Sequence, residues 1–236
     1  MKVALFDLDG TLLRTPQMII TEMTQEAYQV TGIRPDHDAA RRQVGRPLSQ
    51  MALALAGGDE AQAQLIVAGY RRRYLERIVP AGPELVYPGV HDGLRHLRQD
   101  GWRIGVVTNK SHGGALEILG TSGLVAHLDV VIGADDVTDP KPDPAPVLAA
   151  LKQLDILPGR AVMIGDTVHD IQAGKRAGTD TIGVTHGVGD STELQGAGAT
   201  WVVHDFPAVL DTLRRASSAA EPPTGSAARA LRGTEA

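Results

Sequence analysis

Apolar and polar positions fall into blocks along this chain, and the period changes from block to block. Residues 3–6 (V-A-L-F) form an unbroken apolar run that stops at Asp7. A short run of this kind reads as a strand buried on both faces, as in a parallel sheet. From Thr15 the pattern is helical. Pro16 suits the first turn of a helix, and Ile19, Ile20, Met23, Ala27 and Val30 recur at helical spacing up to a stop at Gly32. Further helices are predicted over about 36–43, 49–56 and 59–78, with no strand pattern among them. From Tyr87 strand and helix alternate. The sequence predicts a helix from Pro88-Gly89 to about 99, a strand at 102–108 and a helix at 112–119. A strand at 130–134, a helix from Pro144 to about 154, a strand at 161–165 and a helix to about 177 follow. Shorter strands are expected at 181–185 and 201–203, with the Gly- and Thr-rich stretch 185–200 as loop.

This alternation predicts an α/β fold with a doubly wound, mostly parallel sheet. Right-handed crossovers then bring the C-terminal ends of the strands to one edge. Asp7, Asp9, Thr108 and Asp166 all occupy such ends. The expected division is a catalytic core of residues 1–14 and 81–215, with an all-helical cap of residues 15–80 inserted after the first strand. From Ala216 the chain is poor in large apolar residues and cannot offset its own ordering entropy, so 216–236 reads as a disordered tail.

Composition narrows the function classes. The 236 residues are 42% hydrophobic and 22% charged, with a net charge of −5, which leaves no nucleic-acid footprint. The absence of cysteine excludes disulfides, a thiol nucleophile and thiolate metal sites. No stretch has the length of a membrane span and the N-terminus carries no signal-peptide pattern, so a cytoplasmic protein is expected. Arginines cluster at 41, 42 and 46 and again at 71–73 and 77. The second cluster reads as a solvated helix face. Arg46, set between Gly45 and Pro47, is held in a defined place where it could meet an anion.

A lone aspartate after a strand is an ordinary turn residue. Two of them, Asp7 and Asp9, crowd like charges that a cation or a shared proton would relieve, and an i, i+2 pair on a strand points the same way, so both carboxylates are expected to address one site. Gly10 lets the backbone turn tightly beside them. The string Phe6 to Thr11, F-D-L-D-G-T, resembles the first motif of the haloacid dehalogenase superfamily. Three further motifs of that superfamily occur in order. Thr108 ends an apolar strand, Lys141-Pro142-Asp143-Pro144 is similar to the K-P-x-P form, and Gly165 to Asp170, G-D-T-V-H-D, fits G-D-x-x-x-D. The helical insert and Thr108-Asn109-Lys110 are similar to the subclass that includes phosphoglycolate phosphatases. Many relatives carry Asp-Ser shortly after the first motif, where this chain has Arg14-Thr15.

The resemblance implies a Rossmann-like core and a Mg²⁺-dependent phosphatase acting on a small phosphate monoester, phosphoglycolate-like, through an aspartyl-phosphate. It implies Asp7 as nucleophile and Asp9 as general acid and base. Thr108, Asn109 and Lys141 would bind the phosphoryl oxygens. Asp7, the Asp9 carbonyl, Asp166 and Asp170 would serve the metal, and Arg46 a second anionic group of the substrate. A β-phosphoglucomutase-like mutase and a pyrophosphatase are the alternatives within the superfamily. A phosphate-binding regulatory protein is the alternative outside catalysis. No oligomeric state is legible.

Overall fold

The computed structural model describes residues 2–219. Six strands, β1 (Lys2–Phe6), β2 (Trp102–Val107), β3 (Val130–Ile132), β4 (Ala161–Gly165), β5 (Asp180–Val184) and β6 (Trp201–Val203), form one sheet. Its order is β3-β2-β1-β4-β5-β6 and every pairing is parallel. The chain leaves β1 toward β2 and later returns to lay β4 on the other side. The switch point therefore lies between β1 and β4, where open α/β sheets bind ligands.

The connection from β1 to β2 carries six helices, of which five form the insertion: α1 (Pro16–Thr31), α2 (His37–Arg41), α3 (Leu48–Leu55), α4 (Glu60–Arg73) and α5 (Gly82–Leu85). A π-helical turn, Tyr74–Ile78, extends α4. Helix α1 begins at Pro16 and ends where Gly32 adopts a left-handed φ of 72°. The remaining helices are α6 (Val90–Gln99), α7 (His112–Thr121), α8 (Ala145–Leu154), α9 (Val168–Ala177), α10 (Ser191–Gly196) and α11 (Phe206–Ala219). Among the described residues no helix is long and apolar enough to cross a membrane.

Both faces of the sheet are covered, which explains the unbroken apolar run in β1. Strand side chains alternate, so Val3 and Leu5 pack with Val147, Leu151 and Met163 under α8 and α9. Ala4 and Phe6 face the other way, toward Leu94 of α6, Ile118 of α7 and Phe206 of α11. That second cluster continues into the inserted helices through Ile19, Met23, Ile66 and Tyr70.

The insertion leaves and rejoins the sheet side by side. Arg14 N donates to Leu85 O at 2.7 Å, Tyr87 N donates to Leu12 O at 3.1 Å, and Leu13 and Val86 form an antiparallel bridge between them.

Three features differ from the sequence expectation. The stretch read as loop contains α10, started by a capping box in which Asp190 and Glu193 exchange side-chain-to-backbone hydrogen bonds. Helix α11, absent from the sequence expectation, buries Phe206, Val209 and Leu213 and continues past Ala216 to Ala219. The rest of the expected tail, 220–236, lies outside the described residues. Finally, the 71–73 arginines do not share one solvated face. Arg73 Nε lies 2.7 Å from Glu26 Oε2 and its Nη1 3.1 Å from Glu22 Oε2, joining α4 to α1 through two glutamates that are each only 6% exposed. Its planar fork suits two carboxylates presented one helical turn apart.

Candidate active site

Asp7 follows β1 directly, and its N–H donates to Ile164 O at 2.8 Å, carrying the β1–β4 pairing one residue further. Its position in the alternation is that of Leu5, toward α8 and α9. There the Lys141 ammonium lies 2.8 Å from Asp7 Oδ1, 2.5 Å from Asp170 Oδ1 and 2.7 Å from Val107 O. Asp170 Oδ2 accepts from Thr167 N at 3.0 Å and Thr167 Oγ1 at 2.7 Å, within the capping box that starts α9. Asp166, at the end of β4, accepts from Thr11 Oγ1 at 3.1 Å and Val188 N at 2.8 Å. Gly10, with φ 89°, closes on it so tightly that a Cβ there would sit 2.1 Å from Asp166 Oδ2.

Asp7, Asp166 and Asp170 form a buried cluster whose carboxylate oxygens lie within 4.8 Å of one another. The one ammonium bonded to the cluster reaches Asp7 and Asp170 but not Asp166, so three carboxylates are short of positive charge. Burial pushes the Asp7 carboxyl up to about 7; Lys141 opposes the rise and Asp170 adds to it. Burial, then Asp7 and Asp170, hold Asp166 well above the usual carboxylate range. Burial alone would lower Lys141, but Asp170 and Asp7 outweigh it and keep the ammonium above its ordinary value. Such a deficit fits a divalent cation, and an all-oxygen donor set suits a hard ion such as Mg²⁺. Among the described residues the cluster does not include the Asp9 carboxylate.

Asp9 faces differently because the strand ends at Phe6 and the two-residue alternation stops with it. The N–H groups of Thr11, Leu12 and Leu13 all turn back onto Leu8 O. Asp9 Oδ1 accepts from Thr15 Oγ1 at 2.6 Å, and Oδ2 lies 3.0 Å from Lys110 Nζ. Lys110 in turn sits 4.6 Å from the centre of the Tyr74 ring. Burial works against its charge, but Asp9 prevails and raises its pKa. Asp7 and Asp9 nevertheless line one cavity of about 630 Å³ between the inserted helices and the sheet edge.

Thr108 and Asn109 follow β2 and line the same cavity. Thr108 N donates to Ile132 O at 2.9 Å, and its Oγ1 accepts from Lys110 N at 3.3 Å. The Asn109 side chain is already engaged. Its Oδ1 accepts from Lys141 N at 3.0 Å, and its Nδ2 donates to Lys141 O and Gly45 O, each at 2.8 Å. Of the first arginine cluster, Arg46 is exposed to the cavity and lines it. Arg41 turns away to donate to Val188 O, tying α2 to the loop that holds Asp166. Arg71 also lines the cavity. Tyr74 OH donates to Gly114 O at 2.7 Å, a further link between insertion and core.

Several site residues were not singled out from the sequence. Thr11 lies inside the F-D-L-D-G-T string and Lys110 inside T-N-K, so both had a local signal. Thr15 follows the string as the residue before Pro16. Val188 had none, because it acts through its backbone N–H, 22 residues beyond Asp166.

Residues 4–184 match the family described as haloacid dehalogenase-like hydrolase. The chain is 35% identical over 211 residues to a Dickeya dadantii protein named Probable phosphatase IndB, covering 88% of this chain and 91% of that one. It is 35% identical over 182 residues to the pyrophosphatase PpaX of Bacillus velezensis, covering 76% and 81%. It is 30% identical over 222 residues to the phosphoglycolate phosphatase of Colwellia psychrerythraea, covering 91% and 97%.

Proposed function

The chain belongs to the haloacid dehalogenase-like hydrolase family and is a phosphatase, and from that premise we propose that it hydrolyses a small phosphate monoester through an aspartyl-phosphate. The observation that carries this reading is the Asp7 carboxylate, buried in an acidic cluster, bonded through Oδ1 to Lys141 and lining the cavity shared with Asp9.

In the proposed reaction an Asp7 oxygen attacks phosphorus, and the bond from phosphorus to the ester oxygen breaks. Asp9 gives the departing alkoxide its proton. Asp9 then takes a proton from a water that attacks the aspartyl-phosphate, releasing inorganic phosphate and regenerating Asp7. Lys141 keeps Asp7 oriented and offsets charge as the anionic ester approaches. Thr108, by its hydroxyl, and Asn109, by its backbone N–H, join Lys141 around the phosphoryl oxygens. Asp7, the Asp9 carbonyl and Asp166 would hold Mg²⁺, supported by Asp170; when bound, the ion neutralises charge between carboxylate and phosphate. The inserted helices act as a cap over the cavity and exclude water.

Arg46 supports an ester with a second anionic group, of which phosphoglycolate is the reference case. The cavity is larger than a two-carbon acid needs and lies in the range of ordinary ligand pockets. Larger phosphate esters therefore belong in the same trial. Pyrophosphate is the second reading, favoured by the similarity to the pyrophosphatase, since the leaving group alone differs. Phosphate release from phosphoglycolate, larger monoesters and pyrophosphate, with Mg²⁺ and with EDTA, tests both. Release from a monoester that stops in EDTA is expected. Release confined to pyrophosphate would replace the first reading with the second. Conversion of glucose 1-phosphate to glucose 6-phosphate without net release would replace both with a mutase.

A further inference from the structure

We propose that the Asn109 side chain is a positioning residue that couples docking of the inserted helices to the placement of Lys141. The proposal rests on the catalytic reading above. Asn109 is 6% exposed, and its carboxamide makes three hydrogen bonds in two directions. Two of them clamp the N–H and the carbonyl of Lys141 itself, so they set the backbone from which the ammonium reaches Asp7 and Asp170. The third crosses to Gly45 O, in the loop between α2 and α3.

Gly45 also packs against the start of α9. It adopts φ 91°, and a Cβ on it would lie 2.9 Å from Thr167 Cγ2. Thr167 donates twice to Asp170, the other partner of the Lys141 ammonium. One backbone position of the insertion thus meets two residues that both act on Lys141, one through its main chain and one through its ion pair. Arg46, the next residue, lines the cavity. When the loop withdraws, one Nδ2 donor loses its partner and the clamp on Lys141 loses an anchor. A bound ester that draws the loop down completes the clamp. The reacting geometry is then assembled only under a docked insertion.

The test uses full-length protein with Mg²⁺ and p-nitrophenyl phosphate as probe. Asn109→Ala is expected to lower kcat roughly 10- to 100-fold with a smaller change in KM, the scale of a catalytic group displaced by about an ångström. Amide hydrogen exchange over residues 43–47 is expected to quicken in the same variant. Gly45→Ala crowds Thr167 and strains the loop, so it breaks the latch from the other side. In that background Asn109→Ala is expected to cost less than it does alone, because the bond to Gly45 is already lost and contacting residues in one latch are not additive. Additive losses, or exchange over 43–47 unchanged in Asn109→Ala, would overturn the proposal. Asn109→Asp keeps the acceptor for Lys141 N but sets a carboxylate oxygen against the two carbonyls. It is expected to show the same faster exchange, and it carries the test if the alanine variant does not fold. If the wild type turns over no ester at all, the catalytic reading fails, and the exchange comparison still decides whether the latch exists.

Discussion

The Lys141 ammonium and the Asp170 carboxylate meet at 2.5 Å, and the same ammonium holds Asp7 at 2.8 Å. A single buried cation therefore serves both the proposed nucleophile and the residue that starts α9. Replacing it by Lys141→Met takes the charged partner from Asp7 and Asp170 beside a buried Asp166. The variant is expected to lose about 10²- to 10³-fold in kcat. It is also expected to lose about 3–5 kcal/mol of stability at pH 8 in EDTA, a loss that shrinks near pH 5 as carboxylates take up protons. Urea melts at the two pH values check this, and equal losses at both would contradict it.

The raised Asp7 pKa gives the metal-free protein a defined pH dependence. A carboxyl held near 7 in the fold, against an ordinary value of about 3.9 in the unfolded chain, binds its proton more tightly when folded. Its stabilising contribution is complete below about pH 4 and disappears as pH rises through 7. Asp166 shifts in the same direction. In EDTA the melting temperature should thus fall between pH 5 and pH 8. Mg²⁺ should restore it most at the upper end, since its ligands must be deprotonated. Differential scanning calorimetry that shows a flat profile in EDTA would refute this.

Asp7→Asn separates chemistry from folding. The amide cannot attack phosphorus, yet it removes a charge the fold holds at a cost. Turnover should fall below detection, while stability in EDTA at pH 8 should equal or exceed that of the wild type. Measurable steady-state turnover would remove Asp7 from the nucleophile role.

Arg73 stabilises the insertion rather than facing solvent. In Arg73→Met, Glu26 loses its ion pair, and Glu22 keeps only Arg77, at 3.3 Å. A loss of about 3 kcal/mol is expected, largely recovered when Glu22→Gln and Glu26→Gln are added. A loss under about 0.5 kcal/mol in urea unfolding would place Arg73 with ordinary surface charges.

Arg46→Ala addresses substrate choice. If Arg46 meets a second anionic group, KM for phosphoglycolate should rise about tenfold, the equivalent of about 1.4 kcal/mol. An unchanged KM would free Arg46 from that role.

Much of the site was legible because its chemistry is local. Asp7, Asp9, Lys141 and Asp166 each sit where an apolar strand stops or a helix starts, and a period change in the sequence marks such places. The parallel sheet was legible for the same reason, since β1 is apolar at every position from Val3 to Phe6 and only a strand covered on both faces requires that. What escaped depends on distance along the chain. Arg73 finds its glutamates 47 and 51 residues away, so nothing beside it tells a buried ion pair from a wetted face. The direction of Asp9 escaped because alternation ends with the strand, and the turn after Leu8 sets its own geometry. Helix α11 had a signal in Phe206, Val209 and Leu213, whose spacing places them on one face, but the nearby change of composition obscured it.

The pairing of Leu12 and Arg14 with Leu85 and Tyr87 gives the insertion a single doorway. In terms of connectivity, the sheet meets the excursion as one short hairpin stem, whatever the stem carries. Loop-closure entropy grows only slowly with length, by about 0.6 kcal/mol for each doubling, so a moderately longer or shorter helical block changes what the sheet must offset by little. A helical block of another size or lining can be exchanged at this stem without moving the strand register, provided that it still offers a backbone acceptor where Gly45 O meets Asn109 Nδ2. The part of the molecule that would choose the ester can thereby change in size and lining, while contacts at Arg41, Gly45 and Tyr74 still tie it to the part that would cleave it.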